Sequence, residues 1–518
     1  MAKTSLILST VERIKRFSRE HRVEFILLII ILLLASFLRL YRISEYMTFL
    51  GDEGRDSIIV RRFLVNGDIF LIGPGTSIGN MYLGPLYYYM MAPALLLAAF
   101  SPVGPAVQIA VLGVVTVFLI WHIAREWFGS VAGVVASVLY AISPTVIIYS
   151  RSSWNPNIMP FFALLCIYCM WKVWVHKRYL WLLVLGVSMA FVLQSHYMGL
   201  LLAPTLGVIW GAAAWQARKN KNLKTLLKYT LMGLGIFLVL MSPLVIFDAR
   251  HNWQNFSALS TFFLDRQTTI SARPWNALPN IWPLLQDITT RLLTGRVAEA
   301  GKWVAMALLL GMLFMLKDMQ KKKWPKVRPI VYLSLWLGVA LIGLGVYKQH
   351  IYDHYYGFFF AAPFLLFGGI CSYFVEKAKL RGAWIVGTVL LFLVFFSFQN
   401  SPLTQEPNSQ LKRTRIIAEF IRDEANNETF NLAVIAERNY EAAYQYFLEK
   451  WRAKVIEIDP LRADETIESV LYVVCELPPE KCDPTNNPKA QVANFGWSKI
   501  DKEWNVEGHT VFKLVHTK

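Results

Sequence analysis

Phe49-Leu50-Gly51-Asp52-Glu53-Gly54-Arg55-Asp56 sets adjacent carboxylates a few residues beyond 23–41, an apolar run long enough to cross a bilayer. Charge placed there predicts chemistry at a membrane face. The rest of the chain agrees: its 518 residues are 55% hydrophobic and 17% charged, with mean hydropathy +0.41, as expected when much of the surface faces lipid. Uncharged runs at 106–120, 131–150, 229–247 and 382–399 approach the roughly 20 residues a span requires. Residues 23–41 lack a small-residue cleavage site after them and read as a retained signal anchor.

The formal net charge of +17 is unevenly distributed. After Asn400 about 15 Lys and Arg face about 19 Asp and Glu, so the excess belongs to the first 400 residues. There it gathers at 3–22 and in short loops at 172–178, 218–228, 317–328 and 377–381. Basic short loops mark the cytoplasmic side of a membrane protein, and this pattern argues against nucleic-acid binding.

Parity then sets the topology. Counting every apolar run gives about twelve crossings, but a crossing at 83–100 would move the downstream basic loops to the side opposite the basic N-terminus. Laid along the outer face instead, 83–100 leaves eleven expected spans: 23–41, 104–123, 131–149, 157–175, 179–195, 199–215, 229–247, 303–316, 330–346, 357–374 and 383–399. The expected protein is multi-pass in a plasma membrane, with its N-terminus cytoplasmic and its C-terminal domain extracytoplasmic. Tyr87, Tyr88 and Tyr89 suit an interfacial helix, because amphipathic rings favour headgroup depth.

The expected fold class is an α-helical polytopic membrane protein of about 11 transmembrane helices plus interfacial helices, followed by a small extracytoplasmic α/β domain. Residues 1–400 form the first domain and 401–518 the second, where helices are expected at 414–426 and 440–450. Strand-like runs lie at 454–458, 470–475 and 510–515, and a further apolar run at 432–435. Cys166, Cys169 and Cys371 fall in apolar segments and read as small buried thiols, whereas Cys475 and Cys482 sit where a disulfide is permitted and remains open.

This topology collects the chemically interesting residues on one face. Asp52 and Glu53 lead, since a carboxylate at a low-dielectric boundary holds its proton more tightly and accepts one from a hydroxyl. Arg151, ending an outward-going span, is placed to clamp a phosphate, and Trp154 and Asn155 to stack on and hydrogen-bond to a sugar. His196, Arg250 and His251 are further candidates near that face. The cluster Lys348-Gln349-His350-Ile351-Tyr352-Asp353-His354-Tyr355-Tyr356 is the densest polar and aromatic group of the membrane half, with His350 and His354 at the i, i+4 spacing of a metal pair. Phosphate or sugar contact is the stronger expectation there, and no metal ligand is assigned.

Asp52-Glu53 shortly after the first span, Gly84-Pro85-Leu86-Tyr87-Tyr88-Tyr89, then Ser143-Pro144 and Tyr149-Ser150-Arg151 closing a later span resemble the GT-C superfamily of glycosyltransferases that use lipid-linked sugars. The likeness covers roughly residues 20–400 and is similar to the protein-mannosyltransferase and aminoarabinose-transferase families. The resemblance implies a hexosyl- or pentosyltransferase taking a sugar from a polyprenyl-phosphate donor to a lipid, glycan or protein acceptor at the extracytoplasmic face, with inversion. It implies Asp52 as catalytic base and Glu53 as its neighbour in acceptor positioning or metal contact, and it admits a divalent cation, Mg or Mn, without requiring one. It also implies that the 348–356 cluster faces the lipid phosphate, although His350, Asp353 and His354 depart from the Arg-Tyr form common there. The competing reading is a transporter or flippase of lipid-linked glycan. The spans are nearly uncharged at their centres, which favours interfacial chemistry over a transport path.

Overall fold

A computed structural model describes residues 12–517, apart from 77–78, 80, 265–268, 272 and 321–326. Lys3 of the basic group at 3–22, and 321–326 of the basic loop at 317–328, therefore lie outside the described residues.

Among the described residues eight helices are long and apolar enough to cross a membrane: Arg22–Leu40, Val103–Phe128, Asn155–Trp174, Tyr197–Lys219, Leu223–Arg250, Ala298–Asp318, Arg328–Gly345 and Ala361–Gln399. Two shorter apolar helices, Ser130–Ile142 and Trp181–Ser195, occupy two more of the expected spans. The first continues through Pro144–Tyr149, whose Pro sits at the start of a helical turn where its missing N–H costs nothing. Ala361–Gln399 breaks at Lys379, with φ 52 and ψ −125, so it is two rods. Eleven helical rods thus stand at the eleven expected places. Leu86–Leu97 has 12 residues, and a helix of that length rises about 18 Å against the roughly 30 Å of a hydrocarbon core.

The rods pack through one large apolar cluster that includes Trp127, Trp171, Tyr332, Trp336 and Phe364. Leu223–Arg250 is the peripheral member, exposing Leu231, Leu234, Leu238 and Val239. It docks by backbone proximity: a Cβ on Gly233 would lie 2.3 Å from the Leu182 carbonyl oxygen, and one on Gly186 2.2 Å from that of Gly233. Small residues let helices approach this closely in lipid, where burial of apolar surface supplies little drive.

The tail folds into a sheet of order β1-β2-β4-β3, with β1 Asn431–Ile435, β2 Val470–Cys475, β3 Ser498–Val506 and β4 His509–His516. β1 and β2 are parallel, and β4 pairs antiparallel with both β2 and β3. Glu507 and Gly508 both have positive φ in the two-residue β3–β4 turn, as a tight hairpin requires. Two expectations change. Residues 454–458 form no strand and make a single bridge from Val455 to Phe430. β3 was not anticipated, because Lys499, Asp501, Lys502 and Glu503 give an edge strand no apolar alternation. Cys475 and Cys482 form a disulfide.

The sheet's period-2 alternation builds two cores. Ala433, Ile435, Leu471, Val473 and Phe512 pack on Val492 and Phe495. On the other face, Leu432, Val434, Tyr472 and Val474 join Ile417, Tyr444 and Phe447, and that core runs on without a break into Phe49, Ile58 and Ala106 of the membrane half. Gly51 and Gly54 explain the contact. They share a face of the helix Gly51–Asn66, where a Cβ would meet the Tyr440 ring at 2.2 Å or the Ala442 carbonyl oxygen at 2.4 Å. The glycines of the opening motif are thus where the tail sits down, and its carboxylates remain beside that seat.

Candidate active site

A cavity of about 670 Å³ opens between the two halves. Its membrane-side wall includes Asp52 and Arg55 from the 51–66 helix, Trp154 and Asn155 after Tyr149, and His196 where the Trp181–Ser195 helix ends. His350, Tyr352, Asp353, His354 and Tyr355 supply another wall, Arg291 a further cation, and Arg438 enters from the tail.

Asp52 and Glu53 are neighbours in sequence with different environments. A helix turns about 100° per residue, so the two side chains diverge. Glu53 turns inward, is buried, and accepts the Leu50 N–H at 3.0 Å, closing the first turn of its own helix. Burial pushes its carboxyl up to about 7. Asp52 is 42% exposed at the cavity. Its Oδ1 accepts from Arg55 Nη1 at 3.0 Å and from the Tyr440 hydroxyl at 2.9 Å. Arg55 also holds Asp56 Oδ1 at 2.8 Å, where the Tyr88 hydroxyl donates at 2.9 Å. Asp56 is fully buried, and that burial pushes its carboxyl up to about 6 against the pull of Arg55. The structure therefore ties Asp52 into a braced chain from Tyr88 through Asp56 and Arg55 to Tyr440 of the tail.

The aromatic wall is an edge-to-face cage around His354. Its ring centroid lies 4.6 Å from that of Trp154 and 5.4 Å from that of His196. Burial lowers His354 to about 4 and His196 to about 3, so both imidazoles are neutral near pH 7. Neutral rings suit the apolar face and hydroxyls of a sugar better than a phosphate charge. Asn155 is positioned by donating to the Ser195 carbonyl at 2.7 Å.

Several expected site residues lie elsewhere. Arg151 does not line the cavity. It is buried, and donates to the carbonyls of Leu38 at 2.7 Å and Tyr41 at 2.6 Å, satisfying the open end of the first helix. Arg250 and His251 are exposed at the end of Leu223–Arg250 and line no part of this cavity. Lys348 lines a second cavity of about 680 Å³, bounded also by Pro283, Leu284, Leu344 and Val346, which meets the first at His350 and Ile351.

The cations that do line the cavity, Arg55, Arg291 and Arg438, are not among the candidates the sequence offers. Arg55 was legible, three residues after Asp52 on one helix face. Arg291 lies in the last turn of the helix Leu278–Leu292, and it is paired with Asp287 at 3.3 Å and Asp353 at 3.7 Å. Arg438 has no ion pair among the described residues and is exposed. Nothing in Glu437-Arg438-Asn439-Tyr440 as sequence marks it as facing a site some 380 positions earlier. Among the described residues no three His, Cys, Asp or Glu groups converge as a metal site. Glu53 faces inward and Asp52 Oδ1 is taken, so this carboxylate pair does not fit a shared ion.

A family model described as dolichyl-phosphate-mannose-protein mannosyltransferase matches residues 83–247. A search of curated proteins by sequence finds no match. Among solved structures, ArnT from Cupriavidus metallidurans bound to undecaprenyl phosphate is similar in fold, with TM-score 0.61 at 13% identity over 94% of this chain and 97% of that one. The Archaeoglobus fulgidus oligosaccharyltransferase AglB, in complex with an inhibitory peptide and a dolichol-phosphate, gives TM-score 0.52 at 12% identity over 89% of this chain and 70% of its own. The same archaeal enzyme in complex with Zn and sulfate gives 0.51 at 13% identity, over 87% of this chain and 67% of its own. The fold is the GT-C fold that the resemblance implied.

Proposed function

We propose that this GT-C-fold chain is a membrane glycosyltransferase that moves a sugar from a polyprenyl-phosphate donor to an acceptor at the extracytoplasmic face. The observation that carries the reading is a half-exposed carboxylate, Asp52, braced by Arg55 and Tyr440 inside a cavity that also holds a neutral aromatic cage and phosphate-seeking cations. The likeness in fold to ArnT bound to undecaprenyl phosphate and to AglB in complex with a dolichol-phosphate supports the donor class.

Each part has a role that its environment suits. Asp52 Oδ1 is occupied, leaving Oδ2 to take the proton from an acceptor hydroxyl as its oxygen attacks the anomeric carbon. Attack from the side opposite the leaving phosphate inverts the centre. Arg291 and Arg438 stabilise the charge that develops on that phosphate. Trp154 and His354 face the sugar ring. The second cavity mixes Pro283, Leu284 and Leu344 with Asn276, Asn280 and Asp287, and Lys348 lines it where it could reach the donor phosphate. Arg151, first expected to clamp the phosphate, is instead part of the frame.

The tail completes the site rather than decorating it, since Tyr440 touches the proposed base and Arg438 the cavity. The disulfide in the tail suits an oxidising exterior. The basic residues Lys172, Arg218, Lys219 and Lys377 lie at the other ends of their helices, which supports a cytoplasmic N-terminus.

The test is incubation of purified protein with radiolabelled polyprenyl-phosphate sugar and a panel of hydroxyl acceptors. A new glycosidic bond is expected, and Arg438→Ala raises the donor KM roughly tenfold, as loss of a charged hydrogen bond would. Movement of the donor between leaflets without bond change would make the chain a flippase instead.

A further inference from the structure

A third cavity, of about 510 Å³, lies at the opposite end of the tail helix Ala442–Lys450 from Tyr440 and Arg438. Lys412, Arg415 and Lys450 line it with Trp451, against one carboxylate, Glu45. Glu45 is engaged by Arg42 in a bidentate pair, so it neutralises little of that charge. Arg415 makes no ion pair or hydrogen bond among the described residues, and Lys412 is exposed. Burial first, then the repulsion of Arg415 and Arg61, lowers the Lys450 ammonium from its ordinary range. The exposed Lys412 and Arg415 thus present positive charge to a cavity whose one carboxylate, Glu45, is already held by Arg42.

The site lies where the tail meets the start of a helix long and apolar enough to cross a membrane. Its floor is Ser101, Pro102 and Val103, where the chain turns from the short Leu86–Leu97 helix into the long Val103–Phe128 helix. Lys450 Nζ donates to the Phe100 carbonyl at 2.9 Å and Tyr446 to the same oxygen at 2.6 Å, which fixes the tail against that turn. Both Ala99 and Phe100 have positive φ there, a conformation these side chains seldom adopt without such anchoring. Immediately before the turn, Leu97 is 88% exposed and Leu96 51%, an apolar surface suited to acyl chains. The basic short loops of the other membrane face are accounted for by topology, but these cations stand on the same face as Asp52, where topology does not ask for them.

We infer that this seam between the tail and the membrane half binds the phosphate headgroup of an anionic phospholipid, with Lys412 and Arg415 on the phosphate and the acyl chains beside Leu96 and Leu97. The lipid then staples the tail to the bilayer at the end remote from the cavity that holds Asp52.

The experiment uses the full chain in neutral-lipid nanodiscs doped with a photoactivatable phosphatidylglycerol or phosphatidylcholine analogue, with labelled peptides mapped by mass spectrometry. The phosphatidylglycerol probe is expected to label peptides containing 96–103 and 411–415, and the phosphatidylcholine probe to label them weakly. Lys412→Ala and Arg415→Ala should each lower that labelling roughly fivefold. Both side chains are exposed, so an unchanged melting profile accompanies the loss. Lys499→Ala, on the exposed edge strand, leaves labelling unchanged. Equal labelling by both probes, or equal loss in the Lys499 variant, would overturn the site in favour of a diffuse field. Abolition of phosphatidylglycerol labelling by inorganic phosphate, but not by chloride at equal ionic strength, would reassign the cavity to a soluble anion and overturn the lipid.

Discussion

Two carboxylate clusters sit near opposite ends of the helix bundle, and only one of them is open. Glu126, near the end of Val103–Phe128 that carries the basic loops, spends both oxygens: Oε1 on Trp171 at 2.8 Å and His176 at 2.8 Å, Oε2 on Tyr168 at 2.9 Å and Lys172 at 2.7 Å. Asp52 at the other end spends only Oδ1 and presents the rest of its carboxylate to a cavity. Both have a cation and aromatic hydroxyls or N–H groups beside them, so residue type does not tell them apart. Saturation does: a carboxylate whose acceptor sites are all filled ties helices together, whereas one held on a single oxygen keeps a free site for a proton.

Substitution at the two places should therefore separate chemistry from stability. Asp52→Asn preserves an oxygen for Arg55 and Tyr440 but removes the proposed base, and is expected to lower transfer by roughly 10²–10⁴-fold with normal insertion and melting. Full activity in that variant would remove Asp52 from the mechanism. Glu126→Gln is expected to do the reverse. Its amide turns a donor towards groups that need an acceptor, costing about 2–3 kcal/mol of stability, while turnover per folded molecule is unchanged; a proportionate loss of turnover at unaltered melting temperature would erase the distinction.

Glu53 sharpens the comparison with the smallest effect. Glu53→Gln still accepts from Leu50 N–H through its amide oxygen, so activity is retained, whereas Glu53→Ala loses the cap and about 1 kcal/mol. Because burial raises the folded carboxyl from 4.5 to about 7, the folded state binds its proton more tightly than the unfolded chain. That contribution is fully present below pH 4.5 and is lost as pH rises through about 7. The stability of Glu53→Gln relative to the parent should climb across that window, and thermal melts at stepped pH would show it. A flat difference would mean the wild-type carboxyl titrates as an exposed one.

The site was half legible. Asp52, Trp154, Asn155, His196, His350, Tyr352, His354 and Tyr355 line one cavity, and sequence placed all of them on one face because hydropathy and loop charge fix where the chain emerges from lipid. Arg151 read as a phosphate clamp because a cation at a span's end has two uses. Only contact with the Leu38 and Tyr41 carbonyls shows that it serves the backbone. Arg438 and Tyr440 gave no signal, since a polar turn ahead of a helix looks the same wherever it docks.

The sequence by itself determined eleven helical segments, the short helix at 86–97 and the shift to a soluble pattern after Asn400, because those follow from local apolar length and from charge that cannot enter hydrocarbon. Tertiary structure alone decided which of two adjacent carboxylates faces the cavity and which closes a helix, and that the glycines flanking them seat the tail. Helical rotation separates neighbours by about 100°, and what then fills each direction depends on chain some 380 residues away.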